Sequence, residues 1–137
     1  MNLYTEMYQK EKDMNKAIIA KNAPAAVGPY VHAVQAGNLL FVSGQLGLDP
    51  VSGDLKEGLE AQAVQALENM KAVLNEAGYE LTDVVKTTVF LSDMDNFAAM
   101  NEVYAEFFKE PYPARSAIAV KALPKGALVE VECIAVK

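Results

Sequence analysis

The sequence offers few of the residues on which metal, nucleophile or disulfide chemistry depends. It holds one histidine, His32, and one cysteine, Cys133, in 137 residues. A single cysteine excludes an internal disulfide framework and suits a reducing compartment. Any histidine-based triad has to use His32, which lies in a strand pattern and reads as a half-exposed structural residue. Cys/His pairs at metal-ligand spacing are lacking, as is a calcium-loop pattern of acids, so no metal is expected. Gly44 and Gly47 are too few for a phosphate cradle, and Gly58 lacks the surrounding dinucleotide or Walker pattern. Ser43 has no histidine downstream to activate it. It reads instead as a hydrogen-bond donor in a site or as a buried strand-end hydroxyl. Basic runs are missing too. The net charge is −6 and the pI near 4.8, which argues against a nucleic-acid partner, whose affinity rests on Lys and Arg. No apolar stretch approaches the roughly 20 residues of a membrane span. The N-terminus has no signal-peptide core, so the expected setting is cytoplasmic.

What is present is a core-forming chain. Hydrophobic residues make up 52% of it, enough for one domain of ordinary size. Residues 1–13 read as an N-terminal extension: Leu3, Tyr4, Met7 and Tyr8 fall at helical spacing before the charged run Lys10 to Asp13. They suit either a disordered segment or a short helix docked on the domain or a partner. Residues 14–137 read as the domain. Short strands are expected at Lys16 to Ala20, Tyr30 to Ala36 and Leu39 to Gln45, the last two joined at Gly37-Asn38, a two-residue hairpin signal. Leu59, Ala63, Leu67, Met70 and Leu74 mark one face of a long helix, closed by Gly78. Asp83 to Leu91 is Val- and Thr-rich and reads as a strand. Asp95 is placed to cap a second helix carrying Phe97, Met100, Tyr104, Phe107 and Phe108. Two more strands follow, Ala114 to Val120 and Leu128 to Val136. The order β-β-β-α-β-α-β-β predicts an α+β sheet with both helices on one face. The strand at Asp83 to Leu91 is apolar on both parities, with Val84 and Phe90 on one and Val85, Val89 and Leu91 on the other. Two helices cover only one face, so the other implies a closed homo-oligomer.

The residues that point to chemistry are Arg115 and Glu130. Arg115 follows Pro113 and Ala114 and opens a strand of small and β-branched residues. Its guanidinium is shaped to grip a carboxylate with two parallel hydrogen bonds. Glu130 lies fifteen positions on, in a strand taken as its neighbour. The pair reads equally as a carboxylate anchor beside a proton-transfer group or as an ion pair tying two strands. Arg115 shares its parity with Ala117 and Ala119, small residues that leave room for a ligand. Glu130 and Glu132 share theirs with Leu128, Ile134 and Val136, and Cys133 points the opposite way, toward the core.

Five segments in order carry a family resemblance: Ala23 to Tyr30 (APAAVGPY), Val42 to Gln45 (VSGQ), Val85 to Leu91 (VKTTVFL), Asn101 to Tyr104 (NEVY) and Pro113 to Ser116 (PARS). With the spacing from Arg115 to Glu130, they make the chain resemble the RidA/YjgF reactive intermediate deaminases from about Met14 to the C-terminus. The resemblance implies a chorismate-mutase-like fold and a homotrimer with three clefts between subunits. It also implies hydrolysis of enamines and imines such as 2-aminoacrylate, 2-iminopropionate and 2-iminobutyrate to 2-keto acids and ammonia, without cofactor or metal. Arg115 matches the family's carboxylate-binding arginine and Glu130 the acid beside the attacking water, while Tyr30, Ser43, Gly44, Asn101 and Ala117 match cleft-lining positions. Some relatives have cysteine where this chain has Ala117. That rules out a thiol and points to a backbone contact there. The other readings are a non-catalytic trimeric sensor of keto or amino acids and an endoribonuclease or translation inhibitor, the latter disfavoured by the acidic charge.

Overall fold

The computed structural model describes residues 2–7 and 14–137. Six strands form one mixed sheet: β1 (Asn15–Ile18), β2 (Ala33–Ala36), β3 (Leu39–Leu46), β4 (Val84–Leu91), β5 (Ala114–Ala119) and β6 (Val129–Val136). Their spatial order is β1-β2-β3-β6-β4-β5. All neighbours are antiparallel except β4 and β5, which run parallel. Two helices, α1 (Leu59–Glu76) and α2 (Phe97–Phe107), pack on one face. The element order follows the sequence reading.

Gly37, at φ +63°, makes the turn between β2 and β3 in the conformation glycine tolerates best. Helix α1 buries Leu59, Ala63, Leu67, Met70 and Leu74, the apolar series read from sequence. It ends in a Schellman motif: the Tyr79 amide donates to Leu74 O at 2.9 Å and the Gly78 amide to Asn75 O at 3.0 Å. Tyr79 then buries its ring and donates its hydroxyl to Asn38 O at 2.9 Å, tying the helix end to the hairpin. The entry to α2 differs from expectation. Asp93, not Asp95, supplies the cap, accepting from the Asp95 amide at 2.8 Å ahead of a 3₁₀ turn at Met94–Asn96.

The helix-covered face of the sheet carries Leu40, Val42, Val89, Leu91, Val129, Val131, Cys133 and Ala135, all buried. A register shift between Val84 and Lys86 moves Val84 onto that face, beside Thr87, Val89 and Leu91, and leaves Val85 exposed. Simple alternation assigned these two valines the other way round, because a bulge inserts a residue that periodicity cannot register. Two buried amides join α1 to the sheet end. Asn69 donates to Leu46 O at 3.0 Å and Leu48 O at 2.9 Å. Gln62 accepts from the Leu128 amide at 2.8 Å. Among the described residues no helix covers the opposite face, and Phe41 and Ile118 stand exposed on it. Residues 3–7 are helical with Leu3, Tyr4 and Met7 exposed; Tyr8 and the charged run after it lie outside the described residues. No described helix is long and apolar enough to cross a membrane.

Candidate functional site

The site begins with a mismatch between β3 and β6. Val42 pairs with Cys133 and Gln45 with Val131, so Ser43 and Gly44 together oppose Glu132 alone. This bulge turns two consecutive residues to the open face of the sheet, where strict alternation allows one. Glu130 lies on the same face. A Cβ built on Gly44 would stand 2.8 Å from Glu130 Cδ and 3.1 Å from its Oε1. Only glycine lets the carboxylate lie this close to the strand.

A cavity of about 650 Å³ opens over this point. Tyr30, Ser43, Gly44 and Glu130 line it, with Phe90 and Lys125 among the others. Burial raises the Glu130 carboxyl above its ordinary range, and the charge of Glu132 adds to the shift. A carboxyl so placed is a stronger base when ionised and a ready acid when protonated. The Ser43 hydroxyl donates to Val31 O at 2.7 Å. Its proton is committed, so Ser43 offers the cavity an acceptor rather than the donor read from sequence. His32 is buried, not half-exposed: Nδ1 accepts from the Ala20 amide at 2.9 Å and Nε2 lies 2.8 Å from Pro24 O. Both ring nitrogens serve the loop that forms the cavity wall. Cys133 is buried on the helix side, and burial pushes its thiol up to about 12, which suits an inert core residue.

Arg115 is elsewhere. It pairs with buried Thr87 across β4 and β5, which places it on the helix-covered face. Strand β4 lies between β5 and β6, so Arg115 and Glu130 are neither on adjacent strands nor on one face. The two therefore form neither an ion pair nor a joint site within one chain; the only ion pair among the described residues is Lys56–Asp49 at 3.2 Å. Arg115 instead lies over two rings of α2, its Cζ 4.7 Å from the Tyr104 centroid and 5.6 Å from that of Phe97. Asn101 falls between these residues at helical spacing, on the same side of α2. Ala117 is partly buried against the core on the edge strand β5, whose outer backbone groups pair with no other strand among the described residues. The sequence candidates thus fall into two clusters, Tyr30, Ser43, Gly44 and Glu130 in one, Asn101, Arg115 and Ala117 in the other. Phe97 and Tyr104 read from sequence as the apolar side of α2, with Tyr104 also closing the NEVY segment, and Lys125, whose backbone at φ 59° sits at the cavity edge, carries no site role there. Its signal was the Pro124-Lys125-Gly126 turn. Among the described residues no cluster of His, Cys, Asp and Glu is placed to hold a metal ion.

A mixed six-stranded sheet with helices on one face is the fold of a known group of proteins. Residues 20–137 match the family described as endoribonuclease L-PSP, and the chain belongs to this YjgF/RidA family. It is 52% identical to a RutC family protein of Pyrococcus horikoshii over 125 residues, 90% of this chain and 99% of that one. It is 47% identical to the 2-iminobutanoate/2-iminopropanoate deaminase of Salmonella typhimurium over 127 residues, again 90% of this chain and 99% of the relative. The crystal structure of RidA from the Antarctic bacterium Psychrobacter superposes with a TM-score of 0.88 at 51% identity, covering 89% of this chain and 99% of that one.

Proposed function

We propose that this chain hydrolyses carboxylate-bearing enamines and imines, such as 2-aminoacrylate, 2-iminopropionate and 2-iminobutyrate, to 2-keto acids and ammonia. The observation that carries this reading is Glu130, a carboxyl with its pKa raised by burial, seated against Gly44 in a cavity otherwise suited to a small molecule. The deaminase named among the relatives supports the same chemistry.

The reaction requires little beyond positioning and one proton relay. A protonated imine carbon is electrophilic. Glu130 takes a proton from a water as its oxygen bonds to that carbon, giving a carbinolamine. The same carboxyl returns the proton to nitrogen; as the C–N bond breaks and ammonia leaves, the carboxylate takes the hydroxyl proton and the C=O forms. Ser43 oxygen accepts from the substrate nitrogen or the water, and Tyr30 lines the same cavity. Arg115 holds the substrate carboxylate, with Asn101 and the Ala117 backbone beside it. No cofactor enters this scheme.

Arg115 and Glu130 belong to opposite faces of one sheet, so the complete cleft takes Glu130 from one copy and Arg115 from the next. We place the chain in a homotrimer, with the exposed apolar sheet faces meeting and three such clefts between subunits. The test generates 2-iminopropionate from alanine with an amino-acid oxidase and traps it with semicarbazide. The protein is expected to suppress semicarbazone formation; an unchanged yield sinks the proposal. Pyruvate binding without any turnover would instead identify a sensor of keto acids, a function that has no need of Glu130.

A further inference from the structure

Arg115 is supported by aromatic faces rather than by an acid. Thr87 is its partner across β4 and β5, and Thr87 Oγ1 is hydrogen-bonded to Tyr104 Oη at 2.8 Å in a buried position. Strand pairing thus sets the root of Arg115, and the same residue, Thr87, sets the ring over which the guanidinium lies. Tyr104 also packs against Phe108, at 4.6 Å between ring centroids. Phe97, seven residues earlier on α2, supplies the second ring.

We propose that Tyr104 and Phe97, with Thr87 behind Tyr104, are positioning residues that seat the Arg115 guanidinium while leaving its hydrogen-bonding edge free for a ligand carboxylate. This inference rests on the reading of Arg115 as a carboxylate anchor. The physical reason lies in the shape of the group. A guanidinium attracted to a ring face keeps its in-plane N–H donors unused. A carboxylate support would occupy that fork and would have to be displaced by each ligand. Arg115 makes no ion pair among the described residues. Burial holds the Tyr104 phenol above its ordinary range, against the smaller effects of Thr87 and Arg115, so the ring under the cation stays neutral.

The test uses the full chain in its native assembly. Pyruvate, a stable 2-keto acid, is titrated by calorimetry, and kcat and KM are measured with enzymatically generated 2-iminopropionate. Tyr104→Leu is expected to weaken pyruvate about tenfold and to raise KM more than it lowers kcat. Tyr104→Phe keeps the ring and is expected to restore most of that loss. Phe97→Leu alters a partly exposed ring and is expected to weaken pyruvate roughly threefold; it carries the test if Tyr104→Leu does not fold. The Arg115 Nε–Hε resonance in labelled protein reports the seat independently of activity. It should carry a ring-current shift in the natural chain and in Tyr104→Phe, and lose part of it in each leucine variant. An unchanged resonance in the folded leucine variants overturns the seat. Folded leucine variants that bind pyruvate normally, while Arg115→Ala binds none, overturn its positioning role. If Arg115→Ala binds pyruvate normally, the anchor reading and the proposed positioning both fail, and the resonance then shows only whether the rings hold the guanidinium.

Discussion

Desolvation disfavours the ionised form of Glu130, and the neighbouring Glu132 adds to it. The unfolded chain has an ordinary carboxyl there, so the folded pKa lies above the unfolded one. The stabilisation linked to this group is complete below the ordinary carboxyl pKa and is lost as pH rises through the raised folded value. Glu130→Gln removes that titration. Thermal scans should find the variant more stable than the natural chain near neutral pH, with the gap closing below about pH 4. The same substitution should lower imine hydrolysis roughly a hundredfold, because an amide cannot take the proton. Full activity in Glu130→Gln would reduce Glu130 to a structural residue. Arg115→Ala should all but abolish hydrolysis in a folded chain, and Arg115→Lys should recover little, since an ammonium lacks the two-pronged fork. Steady-state rates on the trapped imine check both, and full activity in Arg115→Ala would remove the site as placed here.

The elements impose tighter limits than their propensities suggest. At Gly47, just past the end of β3, an added Cβ would meet Gln62 O at 2.4 Å and Gln62 Cα at 2.5 Å, backbone atoms of α1. Gly47→Ala must push the helix from the sheet and strain the buried Gln62 and Asn69 contacts. A loss of about 3 kcal/mol or more is expected in urea unfolding; an unchanged midpoint would mean that α1 slides freely on β3. Periodicity and turn residues were enough to place α1, its Gly78 end and the β2–β3 hairpin, because each depends on contacts a few residues apart. The bulges at Ser43-Gly44 and near Val85 were not legible. A bulge is a mismatch between two strands distant in the chain, and neither strand carries it alone.

At the scale of the molecule, the exposed sheet face and the separation of Arg115 from Glu130 within one chain lead to one expectation. Light scattering should give three copies of the 14.8 kDa chain. Arg115→Ala and Glu130→Gln chains, each impaired alone, should recover about one quarter of natural activity when co-assembled at random, because some clefts then join the intact residues of two chains. No recovery would place the site within a single chain, and a stable monomer at micromolar concentration would remove the shared cleft altogether. We also treat residues 1–13 as separable from the domain. Leu3, Tyr4 and Met7 are exposed, so deleting 1–13 should leave assembly and turnover nearly unchanged. A large fall in Tm would show that this segment docks in the assembly.

The amino-acid sequence was enough to give the α+β element order, the apolar face of α1, the core direction of Cys133 and the family, because these are written in local spacing and in motifs. It also supplied the side chains of the proposed site, Arg115 and Glu130 among them. Tertiary structure alone decided how they are shared out. The order β6-β4-β5 separates the two, and the register with Thr87 turns Arg115 to the helices. The Val31 carbonyl takes the Ser43 proton, and Tyr104, which spacing marks only as core, becomes the support for a cation. Strand order and register arise from packing between residues far apart in sequence, which one-dimensional periodicity does not encode.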